Sequence, residues 1–309
     1  MTEDLHMRFG VNVPNYGDRA APGEILRWVT TLEELGYHVA MVSDHVALTP
    51  DVERLFPAPF YDPFATLSWL AGQTTRIELG TTVIVLPYRH PLLMARMAAS
   101  IDQFSGGRLV LGVAAGWAPA EFAAVGADYR SRGRVADESL RAMKALWAND
   151  IAKFDGSHVK FGPVSTGPRP ARSIPVWVGG HSTGAMRRAV LYGDAWHPTS
   201  VPPGYLEQIG MPQLRRVAEQ RQRPVPALVP RIKLRITSRS LPDHSRILGE
   251  GTVEQVRGDL HALKSLGATH IVLDTTYPGE TVRKPADHYL GLLEQVATEI
   301  VDLSSGTLR

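Results

Sequence analysis

The sequence contains no cysteine. That absence excludes disulfides, thiolate metal ligands, iron–sulfur clusters and cysteine nucleophiles, and it fits a cytoplasmic home. No charge of one sign dominates: 33 Lys and Arg stand against 31 Asp and Glu, a formal net charge of +2 over 309 residues. Without a basic face, nucleic acid and an anionic membrane surface drop out as main partners. Long hydrophobic runs are missing too. The least polar stretch, Leu109 to Ala127, is broken by Gly112, Gly116, Pro119, Glu121 and Gly126, so no transmembrane helix is expected. The opening MTEDLHMRFG starts with acids and passes straight into a strand pattern, unlike a signal peptide.

What is present is material for a core: 44% of residues are hydrophobic, in short β-rich runs that alternate with longer amphipathic segments. Strands are predicted at Met7–Pro14, His38–His45, Arg76–Leu86, Arg108–Gly116, Pro175–Gly179, Ala195–Pro198, Arg231–Thr237 and His270–Thr275. Helices are predicted at Pro22–Gly36, Pro63–Thr75, Pro91–Phe104, Arg132–Ala148, Ser182–Tyr192, Pro203–Gln220, Val253–Leu266 and Ala286–Val301. Pro22 suits a first helical turn and Gly36 a helix stop. Strict alternation implies parallel strands joined by crossover helices. Eight such units point to an α/β fold of the closed (β/α)8 TIM-barrel type more than to an open doubly wound sheet. No composition break marks a linker, so residues 1–309 read as a single domain.

One interval is too long for a loop. Residues 150–174 contain AKFDGSHVKF, with Asp155-Gly156 as a hairpin turn signal, followed by a proline-rich run. This insertion after the fourth strand is either a lid over the barrel mouth or a surface hairpin covering a helix end. Among the tryptophans, Trp28, Trp69, Trp147 and Trp196 fall in helical or strand patterns and are expected in the core.

In a parallel barrel the active site lies at the C-terminal ends of the strands. The second strand ends in Asp44-His45, which joins a carboxylate to a side chain suited to moving protons near neutral pH. The plainer alternative is that Asp44 caps a turn and His45 packs. The fifth strand ends in Gly179-Gly180-His181-Ser182 and opens a helix. There a bare backbone and helix amides could hold a phosphate, or simply make a tight turn. Trp117 follows Gly116 at the fourth strand's end, where it could flank a planar ligand or pack. Arg235 and Arg239, near the end of the seventh strand, could meet an anionic group or be solvated. His45, His90, His181 and His197 with Asp274 raise a metal-dependent barrel hydrolase. The first strand speaks against it, since it offers Asn12, Val13 and Pro14 in place of a paired histidine motif.

Taken in order, several motifs resemble the luciferase-like monooxygenase superfamily, and more closely its coenzyme F420-dependent oxidoreductases. They are Ser43-Asp44-His45, Leu79-Gly80-Thr81-Thr82-Val83, Leu86–Pro91, Leu111–Trp117 with Glu121-Phe122, Pro175–Ser182 and Gly193–Pro198. The resemblance implies a barrel with a tricyclic ring across the strand ends and a non-proline cis peptide behind it, which maps onto Thr82–Val83. It also implies catalytic roles for His45 and Asp44, and cofactor contacts from Asp44, Thr82, Val83, Ala115, Gly116, Trp117, Gly179, Gly180 and His181. The expected activity is hydride transfer between deazaflavin C5 and a small organic substrate. The alternative is an FMN-dependent monooxygenase using oxygen; a non-catalytic cofactor carrier is a further option. Homodimerisation is common in the family. One departure stands out: sugar-phosphate-oxidising members carry a glutamate where this chain has Trp117, which leaves that substrate in doubt.

Overall fold

Glycine, proline and the apolar pattern fix where each strand begins and ends. In a computed structural model that describes residues 6–277 and 284–309, the expected strands appear as β1 (Arg8–Asn12), β2 (Val39–Val42), β3 (Glu78–Thr81), β4 (Leu109–Ala114), β5 (Val176–Gly179), β6 (Ala195–His197), β7 (Arg231–Lys233) and β8 (His270–Asp274). Every ladder between them is parallel. Phe9 of β1 pairs with Ile271 of β8, Val11 with Ala40 of β2, Ala40 with Leu79 of β3, and Leu79 with Leu109 of β4. The series goes on through Gly112 and Trp177, then Val178 and Trp196, while β7 pairs with β8 through Ile232 and Leu273. The result is a curled parallel sheet with helices on its outside.

The strands are buried on both faces. Val39, Met41, Val110, Trp177 and Val272 meet in one cluster, whereas Ala40, Val42, Leu109, Leu111, Ile271 and Leu273 face the helices. That period-two split is what a parallel sheet covered by its crossovers requires. The helices start where the sequence signals them. Pro22, Pro63 and Pro91 sit at first positions, and the side chains of Asp62, His90 and Ser182 accept the amides of Ala65, Leu92 and Ala185.

Four departures from the sequence reading have local causes. The expected strand Arg76–Leu86 is interrupted at Thr82–Val83, whose peptide is cis. There β4 comes so close that a Cβ on Gly112 would lie 1.9 Å from the Thr81 oxygen, so only glycine fits. The helix expected from Pro203 runs as a wide turn over Leu206–Gly210 before Met211–Gln220, which leaves Pro212 in an α-helical first turn where its missing N–H is harmless. Arg231–Thr237 splits, and Arg235–Ile236 pairs with Glu250–Gly251 instead. Trp69, expected in the core, is 38% exposed, because Phe64, Leu67 and Leu70 take the inner face of its helix.

The predicted hairpin is present as Ile151–Asp155 against Lys160–Ser165. Its turn is held from below: the Glu138 carboxylate accepts the amides of Ser157, His158 and Val159 at 2.8–3.1 Å. Phe154 stacks on Phe161 under Arg141 of the helix Arg132–Ala148. No residue of the hairpin lines the cavity at the strand ends. It covers a helix.

Candidate active site

At the C-terminal ends of the strands lies a cavity of about 660 Å³. All ten residues picked from the sequence line it: Asp44, His45, Thr82, Val83, Ala115, Gly116, Trp117, Gly179, Gly180 and His181. Their surroundings differ sharply.

Asp44 is fully engaged. Arg89 grips both carboxylate oxygens at 2.8 Å, and the Val85 amide adds a third bond at 2.9 Å. Such a two-pronged pair fixes geometry more than it offers a proton. His45, one residue on, is placed quite differently. Its Nδ1 lies 2.7 Å from the Glu121 carboxylate. An ionised carboxylate can only accept, so Nδ1 donates. Phe56 stacks on the ring at 4.9 Å, while Phe60 and Trp117 meet it edge-on.

Glu121, absent from the residues chosen as a site from sequence, organises this corner. It comes from the short helix Pro119–Ala124 just beyond β4 and is fully buried. Besides His45 it accepts the amides of Val46 and Ala47 and the hydroxyl of Tyr88, at 2.7–3.2 Å. Burial pushes its carboxyl up, but the His45 ring and the two amides outweigh burial and hold it below its ordinary value. Burial and that same carboxylate push the Tyr88 phenol up, so it remains a donor.

Opposite lies a second buried network that the sequence did not single out as a unit. Asp274 accepts from Arg231 Nε and Nη2 at 3.0 and 2.6 Å and from Lys233 Nζ at 2.7 Å. Its other oxygen takes Asn12 and the amide and hydroxyl of Thr276. Burial pushes this carboxyl up, but the two cations prevail and hold it well below the usual carboxylate range. Arg231 Nη1 also donates to the Thr82 carbonyl at 2.9 Å. The Thr82 hydroxyl lies 2.9 Å from His197 Nε2, whose Nδ1 faces the Val229 carbonyl. Burial, then Arg231, push His197 down to about 4, so it is a neutral ring holding the Thr82–Val83 peptide in place.

The third part is the end of β5 and the start of the helix after it. Gly180 has φ +110°, Ser182 caps the helix Thr183–Tyr192, and Gly184 and Ala185 of its first turn line the cavity. Arg130, Arg132 and Arg188 line the same cavity; Arg188 is paired with Asp137 at 2.6 Å, and Arg132 lies over Tyr129. Burial pushes the His181 imidazole down. Arg235, by contrast, pairs with Glu250, and neither it nor Arg239 lines the cavity.

The residues that raised the metal alternative have other partners. His90 caps a helix, His197 binds backbone and Thr82, and Asp274 serves two cations. Among the described residues no group of three or more His, Asp or Glu converges as metal ligands would. Among the described residues, too, no helix is long and apolar enough to cross a membrane.

With this geometry in hand, comparisons with known proteins agree on a family. A family model described as luciferase-like monooxygenase matches residues 7–242. An uncharacterized protein of Mycobacterium tuberculosis is 30% identical over 200 residues, 61% of this chain and 69% of that protein. An F420-dependent glucose-6-phosphate dehydrogenase of Kineococcus radiotolerans is 28% identical over 187 residues, covering 59% of this chain and 54% of the enzyme. In fold, the chain matches an F420-dependent secondary alcohol dehydrogenase in complex with an F420–acetone adduct. The TM-score is 0.77 at 16% identity, over 94% of this chain and 98% of that one.

Proposed function

From the premise that the chain belongs to the luciferase-like monooxygenase family and is an oxidoreductase, we propose that it uses coenzyme F420 to oxidise or reduce a small organic substrate. The observation that carries this reading is His45: it lines the cavity, and its Nδ1 is fixed on buried Glu121. The residues fit such a cofactor. Among the described residues Arg130, Arg132, Arg188, Arg231 and Lys233 line the cavity against one lining carboxylate, Asp44, which suits a ligand with a phosphate and acidic tail. The Gly179-Gly180 backbone and the helix behind it would hold the phosphate, and Thr82–Val83 would back the ring.

When bound, the deazaflavin supplies a carbon that accepts or gives a hydride. His45 would take the proton of a substrate hydroxyl, or return it to a carbonyl in the reverse direction. Glu121 would stabilise the resulting imidazolium and sets the ring's angle, with Phe56 stacked on the imidazole and Trp117 edge-on to it. Asp44 positions; it does not exchange protons.

The same proposal includes the closed barrel. Its support is that the segment after β6 bonds on both sides: Val229 N to the Trp196 oxygen, and the Pro230 oxygen to Val272 N. The same reading takes the chain as one domain with the hairpin as an insertion.

Separate titrations with F420 and FMN, followed by ligand absorbance and tryptophan fluorescence, test the reading. Micromolar F420 binding is expected. Micromolar FMN binding without an F420 response overturns it in favour of the oxygen-using alternative.

A further inference from the structure

The Glu121 carboxylate accepts four hydrogen bonds, two on each oxygen, which fills its acceptor sites. Oε1 takes the amides of Val46 and Ala47 at 2.7 and 3.2 Å. Oε2 takes His45 Nδ1 at 2.7 Å and the Tyr88 hydroxyl at 2.9 Å. The imidazole and the phenol therefore draw on one oxygen. Glu121 is fully buried, so water offers no substitute for either donor. What the phenol withdraws from that oxygen is lost to the imidazole.

Packing holds Tyr88 to this contact. It ends the short turn Leu86–Tyr88, and its ring meets Phe122, the residue after Glu121, edge-on at 4.8 Å. Bare Gly116 lets the two sides close, since a Cβ there would lie 2.6 Å from Val85 and 2.8 Å from the Phe122 ring. The rest of the segment serves the other acid beside His45. Arg89 holds both oxygens of Asp44 and reaches on to Asp62, and the Val85 amide adds its bond. Asp51, the further acid on this side, accepts the Thr49 hydroxyl. Burial, then Glu121, Asp44 and Asp51, push the phenol up, so its proton stays on the bond to Oε2. Phenylalanine at this position would keep the ring packing and remove only the donor.

We infer that Tyr88 is a positioning residue acting through Glu121, and that its hydroxyl limits how far this carboxylate stabilises a protonated His45. The inference rests on the reading of His45 as the group that exchanges the substrate's proton, and not on which cofactor is bound. A donor on Oε2 spreads the carboxylate's charge over two partners. Without it the imidazole holds its proton more tightly.

Two titrations of the full-length protein test this. NMR of the His45 ring, assigned by the signal lost in His45→Ala, follows its protonation with neither cofactor nor substrate present. Tyr88→Phe is expected to raise the midpoint by about half a pH unit, roughly a threefold gain in proton affinity. The pH dependence of kcat/KM should move by the same amount in the same direction. A hydroxyl that merely satisfies Glu121 would lower stability and leave both midpoints in place, and that result overturns the inference. In a Glu121→Gln background, Tyr88→Phe should move neither midpoint. A shift that persists there also overturns it, because the effect then bypasses the carboxylate. Should the Gln variant fail to fold, the single variant decides. A His45 midpoint that moves while the rate shows no matching pH dependence supports the coupling, and it is the reading of His45 as proton carrier that fails.

Discussion

Two walls of one cavity each have a buried carboxylate behind them, and the two carboxylates do opposite things. Glu121 meets amides, a phenol and one imidazole, and its charge is directed into His45. Asp274 meets a guanidinium and an ammonium, and its charge is consumed twice over. The first wall therefore ends in a histidine, the second in a closed set of ion pairs. Burial is alike in both, at 0% exposure. The supply of partners decides the chemistry.

Breaking the second wall has the largest expected effect. Asp274→Asn strands two cations and should cost about 3–5 kcal/mol of stability, read by denaturant unfolding. Asp274 also fixes a pH dependence. Its folded-state carboxyl lies below the ordinary unfolded value, so its stabilisation is present above about pH 4 and is lost as pH falls from there toward the folded value. Acid unfolding of the variant should lack that contribution. Unfolding curves that superimpose on the wild type at pH 7 would contradict the network.

The first wall should respond in rate more than in stability. Glu121→Gln keeps the size of the side chain but turns an acceptor into a mixed group facing the amides of Val46 and Ala47. Turnover should fall about 10- to 10²-fold with cofactor affinity nearly unchanged. Equal losses in both would mean that Glu121 only holds the fold.

The end of β5 sharpens the comparison from a third side. At Gly180 the backbone has φ +110°, and a Cβ would lie 3.0 Å from that of Ala185. Gly180→Val should weaken cofactor binding about 10-fold, worth 1.4 kcal/mol, and leave the rate at saturation largely intact. Smallest of all is the hairpin. Glu138→Gln should lower stability by about 1 kcal/mol and leave turnover as it was, since the hairpin stands clear of the cavity. A changed KM for substrate would restore the lid reading.

Much of this was legible in the sequence because it is local. Proline and glycine punctuation marked helix ends, and strand-end motifs named ten lining residues. The partnerships were not legible. Glu121 reaches His45 across 76 positions, and Asp274 reaches Lys233 across 41. Glu121 was visible as part of a motif, yet nothing local told it from a surface acid on a short helix. Trp69 misled for a related reason: its segment is apolar all along, so periodicity alone did not reveal which face turns outward. Nor did the pattern of 225–237 foretell a strand that breaks at Val229-Pro230 and again after Lys233.

The central claim is that His45 moves the proton while other residues hold the cofactor. Single-turnover kinetics of His45→Ala, with F420 affinity measured on the same preparation, tests it most directly. The expected result is a rate about 10²–10⁴ below wild type with the dissociation constant for F420 essentially unchanged. A wild-type rate in the variant, or a rate loss wholly explained by lost cofactor binding, would contradict it.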